Sequence, residues 1–126
     1  MSELRIEVRD GSHCIAVWRN LLLQVWTDDP STERNRTMRD IGRRFLLTTK
    51  GPVGAVVVVG AHCPVPQPAA REHVVGFLSD IGERAKGLAL VFEGEGFLAA
   101  ASRLAMMGMM SAARFPFDYR VARQVS

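Results

Sequence analysis

What this chain has little of narrows its class. Its 126 residues include only two cysteines, Cys14 and Cys63. Two thiols cannot build the dense disulfide framework of a small secreted domain, so they read as reduced thiols. There is no internal repeat, no linker and no low-complexity segment. The opening MSELRIEVRD is charged from its third residue and has no apolar h-region, so no secretory signal is expected. The apolar runs are too short to cross a bilayer, and Arg103 and Arg114 bracket the most apolar stretch. The ending VARQVS is no lipidation box. A cytoplasmic protein without a membrane span is the expectation. Charge of one sign is scarce too. A net charge of +3 with a pI near 9.4 is mild basicity, and no nucleic-acid partner is expected from it.

What is there fits one globular domain over residues 1–126. The apolar share of 48% is ordinary, and the length allows a real core. Leu4, Ile6 and Val8 alternate with Arg5, Glu7 and Arg9, which predicts a strand with one buried face. Asp10-Gly11 is a hairpin signal. HCIAVWR and LLLQVW, separated by Arg19-Asn20, continue an antiparallel meander. Asp29 is a candidate helix cap with Pro30 after it. Met38, Ile41 and Phe45 then share one helical face, and Lys50-Gly51-Pro52 ends the helix. The valine run of GAVVVVG reads as a strand covered on both faces. A second helix is predicted over about 69–85, with Val74, Leu78, Ile81 and Ala85 as its stripe and Gly87 as its stop. LALVF is another buried strand. A third helix is predicted over about 97–114, and DYRVARQV is a last, exposed strand. The order β-β-β-α-β-α-β-α-β predicts an α/β fold: a mixed sheet with antiparallel N-terminal strands, βαβ units and three helices packed on it.

In that order, VVVVGAHCPVPQPAAREHVVGFL, LALVFEGEGFLAAASRLAMMGMM and ARFPFDYRV cover much of the chain. Together they resemble the small bacterial STAS-like domains, most nearly a SpoIIAA-like branch of uncharacterised function. The resemblance implies a regulatory module that binds proteins rather than transforming a substrate. In the antagonist branch of that family a serine or threonine at the start of the helix after the central strand is phosphorylated. Here Ala61 to Ala70 contains neither residue, so no phosphoacceptor carries over. Many relatives also continue past the position of Ser126 into one more helix, and its lack is expected to leave apolar surface uncovered.

No set of residues assembles into a catalytic or cofactor motif. EGEGF lacks the lysine of a P-loop and the third glycine of a dinucleotide fingerprint, and Glu93 and Glu95 would repel an anion. Two residues apart on a turn, those carboxylates do not face one bond as glycosidase chemistry requires. His13-Cys14 and His62-Cys63 could suggest zinc, but adjacent residues on a strand point to opposite faces. Cys63 with His73 could suggest a nucleophile, yet nothing identifies an oxyanion hole. The arginines of the first helix, diluted by Asp28, Asp29, Glu33 and Asp40, read as a solvated face. Trp18 and Trp26 are expected in the core or at an interface. The expectation is therefore a non-enzymatic protein with no cofactor and no metal.

The segment RLAMMGMMSAARFPF holds four of the six methionines. On a helix, the stretch from Phe97 to Arg114 is apolar nearly all round, and one sheet shields only one side of it. Cover could come from the chain itself, from a second subunit, or from another protein or an apolar ligand. The expected contact residues are Met106, Met107, Met109 and Met110, with Phe115 and Phe117 at the rim. The partner is expected to be another copy or another protein. The alternative is a carrier of a small apolar ligand, such as a lipid or quinone, beneath the same helix.

Overall fold

A computed structural model describes residues 4–94, 97–113 and 119–122. The elements follow one another as β1 (Arg5–Arg9), β2 (His13–Trp18), β3 (Leu21–Trp26), α1 (Thr32–Thr48), β4 (Val53–Val59), α2 (Pro68–Gly82), β5 (Ala85–Phe92), α3 (Phe97–Ala113) and β6 (Tyr119–Ala122). The six strands form one sheet in sequential order. The pairs β1–β2 and β2–β3 are antiparallel, and the pairs from β3 to β6 are parallel. This is the expected mixed sheet with three helices.

Local chemistry explains the joints. Asp10 Oδ1 accepts the backbone N–H groups of Ser12 and His13 at 2.7 and 2.9 Å, which closes the β1–β2 turn. The cap of α1 differs from the expectation. Ser31, not Asp29, is the N-cap, and its hydroxyl accepts from the Arg34 N–H at 3.1 Å. Asp29 instead pairs with the Arg34 guanidinium at 2.6 Å. The stripe Met38, Ile41 and Phe45 is buried as expected. Helix α2 stops at Gly82, earlier than the sequence pattern suggests, so Ala85 opens β5 and Gly87 lies within that strand.

Sequential order has a consequence for the layers. Right-handed crossovers between neighbours taken always in the same direction put every helix on the same side of the sheet. Gln24, Val57 and Leu90 accordingly share one cavity with residues of α1, α2 and α3. The core lies between this side and the helices, and includes Ile15, Leu22, Met38, Phe77, Leu90 and Phe92. Among the described residues, helices therefore cover the valine run on one face, not two. Val53, Ala55 and Val57 are buried under the helices, whereas Val56 and Val58 are half-buried on the opposite face. Register aligns that face in rows: Ile6, Ala16, Leu23, Val56 and Ala89 form one, and Cys14, Val25, Val58 and Val91 the next. No described helix covers these rows.

Candidate functional site

Helix α3 rides on α2 and β5. Its inward side is Ala99, Ser102, Met109 and Met110, all buried, with Ala105, Met106 and Ala113 partly buried against the core. These positions recur at helical spacing and form one face. Its exposed described positions are Leu104, Met107, Gly108, Ser111 and Ala112, and none is charged. Leu104 is 70% exposed and Met107 48%. Sequence reasoning grouped the four methionines; the structure separates them. Met109 and Met110 belong to the protein's own core, Met106 is half-buried, and Met107 faces outward. Of the expected contact residues, Met107 is therefore the exposed one and Met106 is half-buried, with exposed Leu104 nearby on the helix. Phe115 and Phe117 lie outside the described residues.

Beneath α3 is a cavity of about 50 Å³ at the carboxyl ends of β3, β4 and β5. Met106, Met109 and Ser102 line its α3 side, and Asn35, Phe77 and Cys63 are among the groups opposite. Gln24 also lines it, at 2% exposure. Its Oε1 accepts from Trp26 Nε1 at 3.0 Å, which orients the amide and leaves Nε2 without a hydrogen-bond partner. Sequence reasoning missed Gln24, although period two in LLLQVW places it on the face of Leu22 and Trp26.

The other candidate groups do not converge. His13 is on the helix side of the sheet, stacked on Trp26 with ring centroids 4.9 Å apart, while Cys14 is on the opposite face. His13 Nδ1 is 3.1 Å from Asp10 Oδ1. Cys63 is 2% exposed, and its thiol donates to the Asp28 carbonyl at 3.0 Å. Burial, then the nearby charges of Asp28 and Asp29, push that thiol up to about 11, which disfavours the thiolate a nucleophile requires. No cluster of three or more potential metal ligands occurs among the described residues. Trp26 is in the core; Trp18 is 37% exposed, with the Arg19 guanidinium over its ring. On α1, Arg34 pairs with Asp10 and Asp29, and Arg39 and Arg43 share Asp80 of α2. The Glu93 turn has a steric role: Gly94, at φ +88°, has no room for a side chain, because a Cβ there would sit 2.6 Å from the Ala61 Cβ.

No family model and no curated protein matches the sequence. Among solved structures the chain is similar to apo-SiaC from Pseudomonas aeruginosa, with a TM-score of 0.52 and 15% identity over 99% of this chain and 100% of that one. At that identity the likeness shows a shared fold. No helix among the described residues is long and apolar enough to cross a membrane.

Proposed function

We propose that this protein is a non-enzymatic regulatory module of STAS-like type, one domain over residues 1–126, and that α3 is a strip through which it self-associates. The observation that supports the reading is the exposure of Leu104 and Met107 on an outer helix face without charge. Leu104 to Ala112 spans about 12 Å of helix. A strip of that length falls far short of the ~800 Å² per partner of a standard interface. Contact through α3 alone is therefore weak and concentration-dependent, as suits a regulatory encounter. Protonated Cys63 and aspartates already paired with arginines support the non-enzymatic part.

Met107→Glu tests this reading, since the side chain is 48% exposed. Light scattering over a concentration series is expected to show weaker higher-order association for the variant, with circular dichroism unchanged. Association identical to that of the unaltered protein refutes the α3 strip.

A second reading rests on the unpartnered Gln24 Nε2 in the cavity. At about 50 Å³ the space is a third of the ~150 Å³ that accepts benzene, so a lipid or quinone enters only if α3 moves. Native mass spectrometry of protein purified from its source tests it: a retained small molecule supports a carrier, and a bare chain removes the reading.

A further inference from the structure

The larger uncovered surface is not on α3 but on the back of the sheet. Strands β1 to β5 contribute to it, and within their rows the only charge is Arg9, opposite Cys14 at the end of β1. Charge returns at the border, where Lys86 stands near the start of β5. Ile6 is 49% exposed, and Trp18 and Val25 are each 37%. Where Gly54 and Gly87 pair, the face sinks into a hollow walled by Leu21, Val56 and Ala89, with Lys86 at its rim. At strand spacings near 4.8 Å and rises near 3.3 Å, five residues on five strands project to about 400 Å², before side-chain relief is added; within it Ala16 and Val91 are already buried, and the open part is carried by Ile6, Trp18 and Val25 with the half-buried Cys14, Leu23, Val56 and Val58. Monomeric proteins seldom leave apolar patches beyond a few hundred Å² open to water.

We infer that this face binds a second copy of the chain, sheet against sheet, around a two-fold axis running along β3. Two arguments select that occupant. The first is area: two such faces bury on the order of 1,000 Å², where specific interfaces begin, and aligned sheets pack face to face at about 10 Å. The second is charge. Arg9 ends β1, and strand alternation carries Glu93, just past β5, to the same face and the same end of the sheet. Neither has an ion pair among the described residues. Because β3 lies midway between β1 and β5, a two-fold along it sets each Arg9 over the Glu93 end of the other copy. A self-complementary pair at both edges of an apolar centre is what an isologous interface requires. An anionic membrane would leave Glu93 facing like charge. Exposed Trp18 supplies an aromatic contact at the far end.

This surface is separate from α3, so the two readings fail independently. Cys14 lies within the contact and is half-buried in the single copy, while buried Cys63 is a poor thiolate and serves as the silent reference. Iodoacetamide labelling of Cys14 is expected to slow roughly tenfold when the protein is raised to about 100 times the dimer Kd. Val25→Glu places a charge in the middle of the contact at a position already exposed in the monomer. It is expected to weaken dimerisation on the order of a hundredfold while Met107→Glu leaves the dimer intact. Arg9→Glu is expected to weaken the dimer, and Arg9→Glu with Glu93→Arg to restore it. A monomer at all concentrations overturns the inference. So does a dimer in which Cys14 labels freely and Val25→Glu has no effect, or a double charge reversal without recovery. Flotation of a monomeric protein with anionic vesicles, abolished by Val25→Glu, overturns it in favour of a membrane.

Discussion

Replacing Arg84 by methionine removes one side chain that joins three segments. Arg84 sits in the turn after α2, and its backbone carbonyl accepts from the Val53 N–H at 2.9 Å, where β4 begins. Its guanidinium reaches the end of α1. Nη1 donates to the Leu46 carbonyl at 2.5 Å, Nη2 to the carbonyls of Thr49 and Gly51, and Nε to Gly51 at 3.1 Å. The last turn of α1 has no basic residue of its own, so Arg84 supplies both the missing donors and the cation that its dipole favours. The bonds to Leu46 and Thr49 are partly buried, and those to Gly51 are exposed, where water can replace them. Two partly buried charged bonds at about 1 kcal/mol each, with about 0.5 kcal/mol from the dipole, give a loss of about 2–3 kcal/mol. For 126 residues the unfolding entropy is about 0.26 kcal/mol/K, so Tm falls by about 10 °C. Arg84→Lys keeps the charge but not the fork, and is expected to lose about 1 kcal/mol. Urea unfolding is the assay, with an unchanged m-value confirming that stability alone has moved. If Arg84→Met unfolds within about 0.5 kcal/mol of the unaltered protein, or if lysine is no better than methionine, the capping argument is wrong.

Gly42 marks the closest approach of α1 to α2: a Cβ there would sit 2.8 Å from Phe77 Cδ1. Gly42→Ala is expected to cost about 1–2 kcal/mol, overpacking outweighing the gain in helix propensity, and adding Phe77→Leu should recover part of it in the same denaturation assay. At Gly76 a Cβ meets only the mobile end of Arg39, so Gly76→Ala is expected to be neutral within about 1 kcal/mol. Asp10 is held below the usual carboxylate range, first by His13, then by the Ser12 N–H, with Arg34 adding to it. A depressed carboxylate stabilises the fold above its unfolded pKa of about 3.9, and that share is lost as pH falls below it. Asp10→Asn should therefore lower Tm at pH 7, and the gap to the unaltered protein should close as pH drops from about 4. A gap that stays constant into strong acid counts against the ionic contribution.

Much of the architecture is legible in local periodicity, because each element buries one face. Met38, Ile41 and Phe45 announce α1, and alternation in RIEVR announces β1. What local pattern does not carry is the far side of a strand. Valine suits a covered and an uncovered face equally, so nothing local separates Val56 and Val58 from the buried Val53 and Val57. Only the crossover direction of three successive βαβ units decides that Val56 and Val58 face away from the helices. The end of α2 is obscured in the same way. Ala85 continues the spacing of Val74, Leu78 and Ile81, but Gly82 and the Arg84 carbonyl bond to Val53 turn the chain into β5 first. In α3, composition shows an apolar rod but not its rotation. That rotation follows from Ala99 and Ser102 packing inward, which sends Leu104 and Met107 out despite their hydrophobicity.

Solvent-facing antiparallel strands ordinarily alternate apolar and polar residues. The helix side of this protein respects the matching rule, with charge placed where water reaches: Arg34, Arg39 and Arg43 stand on α1 and find Asp10, Asp29 and Asp80. The back of the sheet does not. Cys14, Leu21, Leu23, Val25, Val56 and Val58 occupy the positions where alternation would put Lys, Glu or Thr, and β2 to β5 carry no charge in the two complete rows. A chain that uses charge freely on one layer and withholds it from the other treats the second layer as an interior. No helix among the described residues lies over that second layer, and this imbalance between the two faces is what the proposed sheet-to-sheet contact rests on.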